Sequence, residues 1–186
     1  MKEFTFYYNF KNITLRLISD RFFLKAAEFC EKKAPSKITE KTPIPLIMAV
    51  KWLNSYFRVV PGEFPELVLV SSKEKKDMNF ESGEYENKLF LNMTGYSEKE
   101  ISIYKNLLKV PFGSTISYGL LAEISSIPSG GRFAGNCMAK NRFPVINPCH
   151  RVIRADGTWG NFTGGTHIKE FLLEYESRVF DDPGIK

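Results

Sequence analysis

SYGLLAEISSIPSGGRFAGNCMAK, residues 117–140, decides how the C-terminal half of the chain is read. Ser117 is a helix-capping residue type, and Tyr118, Leu121 and Ile124 behind it have the spacing of a short helix. IPSGG supplies turn residues, and Ser129 is expected to cap a second helix, GGRFAGNCMAK. Two short helices joined by a tight turn are either an ordinary helical hairpin or a helix-turn-helix. The second is rich in Gly and Ala, so its backbone can approach another surface closely. From Gly130 to Ala155 stand five cations (Arg132, Lys140, Arg142, Arg151, Arg154) and no Asp or Glu, a charge equal to the net +5 of the whole chain. An acid-free basic window suits a phosphate-bearing partner, which sets the helix-turn-helix level with the otherwise commoner hairpin and leaves both open.

Upstream, Ser97 followed by Glu100 fits a capping box, and Ile101, Tyr104, Leu107 and Leu108 form one apolar stripe, so a helix is expected over 97–109, stopped by Pro111. Organisation changes near residue 95. FTFYYN and ITLRLI alternate as strands do, and RFFLKAAEFCEKK places Phe22, Ala26, Phe29 and Cys30 at helical spacing. PLIMAVKWLNSYF reads as a second helix, and ELVLVS and NKLFLN as strands around the charged KEKKDMNFESGE, a hairpin connection or mobile loop. The expected architecture is α+β: an α/β domain over 1–95 and a helical one over 96–186.

With 43% hydrophobic and 25% charged side chains, the 186 residues can bury substantial cores. No apolar run approaches the roughly 18 residues of a membrane span, and MKEFTFYYNFKN lacks a signal peptide's apolar core. Three cysteines without regular spacing make no disulfide framework. A reducing, intracellular location is expected: cytoplasmic, or nuclear in a eukaryote.

NPCHRVIRADG, 147–157, sets Cys149 beside His150. A lone cysteine is most often an inert buried hydrophobe, but nearby cations or a proton relay turn a thiol into a nucleophile. VINPCHRVI reads as extended chain, whose successive side chains point apart, so His150 reaches the thiol through a water or after a sharp bend following Pro148. A carboxylate orienting His150 would come from Glu170, Glu174 or Glu176 on HIKEFLLEYES. Cys30 and Cys137 read as structural. His167 stands apart from the other candidate ligands, so neither zinc nor any other cofactor is expected.

Six features stand in one order: SYG at 117–119, Arg132, Asn141, PCHRV at 148–152, GNFTGG at 160–165 and IKEFLLEYE at 168–176. Together they resemble the O6-alkylguanine-DNA alkyltransferase family, over about residues 95–177. The resemblance implies a ribonuclease-H-like N-terminal domain and a C-terminal domain with a winged helix-turn-helix core. It implies irreversible transfer of the alkyl group from O6-alkylguanine in duplex DNA to Cys149, one turnover per molecule, with O4-alkylthymine as a further substrate. His150 would deprotonate Cys149 through a water, Glu176 would orient His150, and Asn141 would stabilise the turn. Arg132 would enter the gap left by the flipped nucleotide, with Lys140, Arg142 and Arg151 on the DNA side. Tyr118 would promote extrusion and donate its proton to the purine. Met138, Val152, Trp159, Phe162 and Thr163 would form the pocket. A monomer with no membrane association is implied.

The chain departs from the family pattern at Phe162, often tyrosine, at Asn147, usually aliphatic, and at Trp159, usually small. Two other readings use the same residues: a cysteine hydrolase acting through Cys149 and His150, and a lesion-binding protein that flips the base without transfer.

Overall fold

The computed structural model describes residues 2–58, 64–78 and 86–181, in two compact units, Met1–Tyr96 and Ser97–Lys186. In the first, strands β1 (Phe4–Phe10), β2 (Ile13–Ser19), β3 (Leu24–Phe29), β4 (Glu66–Val70) and β5 (Lys88–Asn92) form a sheet of order β1-β2-β3-β5-β4. β1 and β2 pair antiparallel from Phe4↔Ser19 to Phe10↔Ile13. Along β2, buried Leu15 and Leu17 flank exposed Arg16, the alternation of a half-buried strand. Helix α1 (Ile44–Tyr56) begins with Pro45 in its first turn, where a missing N–H costs nothing, and lays Leu46, Ala49 and Leu53 over β2, β3 and β5.

Two expectations fail here. RFFLKAAEFCEKK does not form a helix; its residues 24–29 are β3. The Asp20 carboxylate accepts from the amides of Phe22 and Phe23, 2.9 Å each, and the turn returns the chain antiparallel onto β2. Consecutive Ala26 and Ala27 are both buried and the register with β2 shifts between Ile18 and Ser19, which breaks the period of two and leaves the spacing of Phe22, Ala26 and Phe29 as coincidence. β4 and β5 do not make a hairpin either, because they pair parallel from Glu66↔Lys88 to Val70↔Asn92. A parallel pair needs a crossover, and the charged segment between them contains the short helix α2 (Glu74–Asp77). Residues 79–85 of that segment lie outside the described residues.

The second unit runs α3 (Glu98–Leu107), β6 (Ile116–Ser117), α4 (Tyr118–Ile124), α5 (Gly131–Ala139), a 3-10 turn at Cys149–Arg151, β7 (Val152–Ile153) and α6 (Thr166–Asp181). The capping box at Ser97 and Glu100 forms, and Ser117 caps α4 by accepting from the Leu120 amide at 3.1 Å. Ser129 does not cap α5. It sits in the left-handed region at φ 56, and Gly130 is the N-cap with no side-chain bond. The glycines of these helices meet: a Cβ on Gly131 would lie 3.6 Å from Gly119 Cα. α3 packs on both helices, and its buried Tyr104 donates to the Cys137 carbonyl at 2.7 Å. β6 and β7 pair parallel, Ile116↔Val152, joining the start of α4 to the strand after Cys149.

α6 has one buried stripe, Lys169, Leu172, Glu176 and Val179, at helical spacing. A lysine and a glutamate on the core face of a helix are rare unless partnered. Among the described residues no helix is long and apolar enough to cross a membrane.

Candidate active site

Pro148 aims the sulfur. With φ −81 and ψ 63 it is the central residue of an inverse γ-turn, closed by the Cys149 amide donating to the Asn147 carbonyl at 2.8 Å. The chain then enters the 3-10 turn, so VINPCHRVI is not extended; of the two routes read from the sequence, the bend is present. Successive side chains of a 3-10 turn diverge by about 120°, which sends Cys149 and His150 to different sides. Asn141 braces the approach from both ends, accepting from the Phe143 amide at 3.0 Å and donating to the Asn147 carbonyl at 2.8 Å. Between them Val145 holds φ 72, a strained value for a β-branched residue.

The Asn147 side chain is fully buried, and neither its oxygen nor its nitrogen has a hydrogen-bond partner among the described residues. Its backbone does the work, so the amide carries only a desolvation cost of about 1–3 kcal/mol. Asn147→Leu, close in shape, is expected to raise the unfolding free energy by roughly 1 kcal/mol or more in urea titration. A loss of stability would show that the amide is satisfied.

Cys149 is 4% exposed, and what it shows faces a cavity of 540 Å³ that Tyr118, Arg132, Met138, Phe162 and Thr163 also line. Val152 and Trp159, expected in the wall, are not among the lining residues. Burial pushes the Cys149 thiol up to about 11, and the Asn141 side-chain hydrogen bond and the Lys169 charge offset only part of that. Burial also pushes Cys137 up to about 11, so resting acidity does not distinguish the two thiols. Access to the cavity does.

Behind the thiol, Glu176 is fully buried and engaged on both oxygens. His150 Nε2 lies 2.7 Å from Oε1, the Arg151 Nε and Nη2 donate to the carboxylate at 2.9 to 3.2 Å, and the Gly113 amide donates to Oε2 at 3.0 Å. Burial pushes this carboxyl up, but the hydrogen bond from His150 and the hydrogen bonds and charge of Arg151 outweigh it and hold the group below the usual carboxylate range. Burial lowers the His150 pKa more than Glu176 raises it, so the ring is neutral at rest. With Nε2–H donating to Glu176, the basic lone pair sits on Nδ1.

Arg151 is the main correction. Expected on the DNA side, it is 7% exposed, clamps Glu176 and donates through Nη1 to the Val110 carbonyl at 2.7 Å. A guanidinium matches a buried carboxylate two bonds at a time, a geometry no charge count reveals. Of the other cations in the basic window, Lys140 pairs with Glu100 at 2.9 Å and Arg142 lies over the Phe143 ring at 5.9 Å. Arg132 and Arg154 border the cavity.

Among the candidate acids, Glu174 pairs with Arg178 on the exposed side of α6, leaving Glu176 on the core face. Lys169, unassigned from the sequence, is fully buried and donates to the carbonyls of Val152, at 2.6 Å, and Trp159. Burial lowers its pKa to about 8. It ties the strand after Cys149 and the following turn to α6. Its signal was present: Lys169, Leu172 and Glu176 share one helical face. The Gly113 amide and Val110 carbonyl have no such signal, being backbone groups brought in by the fold.

Residues 98–178 match the family described as 6-O-methylguanine DNA methyltransferase, DNA binding domain. The human methylated-DNA–protein-cysteine methyltransferase is 32% identical over 162 residues, 86% of this chain and 69% of that protein. The same-named protein of Pyrobaculum aerophilum is 42% identical over 76 residues, 41% of this chain and half of its own length. Among solved structures, the Mycobacterium tuberculosis O6-methylguanine methyltransferase superposes with a TM-score of 0.68 at 26% identity, covering 95% of this chain and 94% of that one. A structure of Mycobacterium tuberculosis OGT in complex with DNA gives 0.66 at 27% identity, covering 92% and 91%. On this similarity, the mixed α+β chain belongs to the O6-alkylguanine-DNA alkyltransferase family, the methylated-DNA–protein-cysteine methyltransferases.

Proposed function

We propose that the protein repairs O6-alkylguanine in duplex DNA by moving the alkyl group to Cys149, each molecule acting once. The observation that carries this reading is a cavity-facing thiol with a neutral His150 and an anchored Glu176 behind it. The first unit is read as ribonuclease-H-like and the second as a winged helix-turn-helix, with α5 presented to DNA and the 154–158 turn as the wing. The DNA complex of the Mycobacterium tuberculosis relative supports duplex binding. Arg132, exposed at the start of α5 and on the rim of the cavity, fills the stack that the flipped nucleotide vacates.

At neutral pH a thiol pushed up to about 11 is protonated, so the site does not store a thiolate. Proton removal and attack therefore go together. The thiol proton passes through a water to His150 Nδ1, and the imidazolium is held against Glu176. Sulfur attacks the saturated carbon on O6, the carbon–oxygen bond breaks, and the electron pair spreads from O6 into the purine. Tyr118 donates its hydroxyl proton to the ring nitrogen that gathers this charge. The product thioether has no carbonyl for water to attack, so the protein is not regenerated.

Incubated with excess O6-methylguanine duplex, the protein is expected to clear lesions up to its own molar amount and stop, with the methyl on Cys149 by peptide mass spectrometry. Continued turnover would favour a hydrolase. Tight binding with no transfer would favour a lesion-binding protein.

A further inference from the structure

Arg154 lies on the same cavity as Cys149 and Tyr118 and has no role in the scheme above. The turn that carries it is tightly bonded. Its amide donates to the Thr158 carbonyl at 2.8 Å, its carbonyl accepts from the Gly157 amide at 3.0 Å, and Nη1 donates to Thr158 Oγ1 at 3.3 Å. Thr158 is pinned in turn by Asp156 Oδ1, which accepts from its amide at 2.9 Å and its hydroxyl at 2.6 Å. The guanidinium is therefore held through one terminal nitrogen, and Nε makes no hydrogen bond with any described residue.

Arg154 Nε and the Tyr118 phenol oxygen both lie beside Gly160. Gly160, at φ 67, forms the floor between the two: a Cβ there would lie 3.2 Å from Tyr118 Oη and 3.7 Å from Arg154 Nε. A side chain there would crowd the phenol oxygen and be strained at that φ.

We propose that Arg154 is a positioning residue for the transfer step, its guanidinium stabilising the negative charge that forms on the Tyr118 oxygen as that hydroxyl gives its proton to the departing guanine. The proposal rests on the alkyl-transfer reading. As the sulfur–carbon bond forms and the carbon–oxygen bond breaks, the purine takes the electron pair and then the Tyr118 proton, leaving neutral guanine and a phenolate. Solvent later returns the proton. The phenolate would otherwise form in an unfavourable place, because burial pushes the phenol above its ordinary value. Arg154 is the group that pulls it back. The charged and titratable groups around Tyr118 are Cys149 from the 3-10 turn, Arg154 from the following turn and Arg132 from the start of α5, with Lys169 of α6 facing both Cys149 and Arg154.

An arginine at a DNA-facing cavity could instead hold a phosphate, and the substrate separates the two roles. Free O6-benzylguanine has no phosphate. Arg154→Gln is expected to slow alkylation of Cys149 by this base roughly tenfold, with Arg154→Lys recovering much of the loss. In a Tyr118→Phe background, Arg154→Gln is expected to add nothing, since the oxygen it serves is gone. Titration of Tyr118 followed by tyrosine carbon-13 NMR needs no transfer, and Arg154→Gln is expected to move that phenol further up. A loss confined to duplex DNA, or one that persists undiminished in Tyr118→Phe, would overturn the proposal in favour of a phosphate contact. Failure of the wild-type protein to alkylate Cys149 in the same assay would count against the transfer reading itself.

Discussion

Cys149→Ser is expected to bind O6-methylguanine duplex as the wild type does and to transfer nothing, a loss of roughly four orders of magnitude or more. The fold has no reason to change, since the γ-turn at Pro148 and the bracing by Asn141 use backbone and amide groups around the residue. The chemistry does change: a hydroxyl ionises far less readily than a thiol and is a poorer nucleophile toward a saturated carbon. Cys30→Ser, outside the cavity and in the other unit, is expected to keep full stoichiometry. Gel-shift titration beside a transfer assay reads both properties. Transfer surviving in Cys149→Ser would move the nucleophile elsewhere.

Glu176→Gln is expected to cost about 3–5 kcal/mol at neutral pH, the penalty for leaving a buried cation without its counter-charge. Arg151 cannot follow its lost partner into water, and the Gly113 amide exchanges a charged acceptor for a neutral one. The sign with pH follows from the depressed carboxyl. A group held below its unfolded value, 4.5, contributes stability above that value and loses it as the pH falls. The difference between wild type and Glu176→Gln in urea unfolding is therefore largest at neutral pH and shrinks below about pH 4.5. Transfer at neutral pH falls as well, because His150 loses the anion that holds it as a base. Equal stability of the two proteins at pH 7 would contradict the clamp.

Much of this site was legible in the sequence because its parts are local. The caps at Ser97 and Ser117 announce themselves locally, whereas the residues left Glu170, Glu174 and Glu176 as equal candidates, and only the family resemblance singled out Glu176, which the structure places on the core face. Arg151 was misread for the opposite reason. Its neighbours in sequence are basic and acid-free, yet its partner lies 25 positions away, so a count of nearby charges places it on the surface. Pro148 could equally have continued an extended chain, and the choice of a γ-turn depends on Asn141 bonding across six positions. β3 does not show in the sequence because its register shift and the two consecutive buried alanines, Ala26 and Ala27, break the alternation.

The Gly113 amide meets Glu176 across 63 positions, and His150 meets it across 26. Closing the longer loop costs about 4 kcal/mol of chain entropy, which only the docking of α6 repays. A ribosome makes the residues in the other order. Cys149 and His150 are made before Glu176, and at about 5–20 residues per second that interval lasts roughly one to five seconds. During it the thiol exists on a chain with no anchored base behind it. On the proposed transfer chemistry, each newly made molecule therefore acquires its reactivity only when α6 docks, and a chain that has not reached α6 cannot spend it.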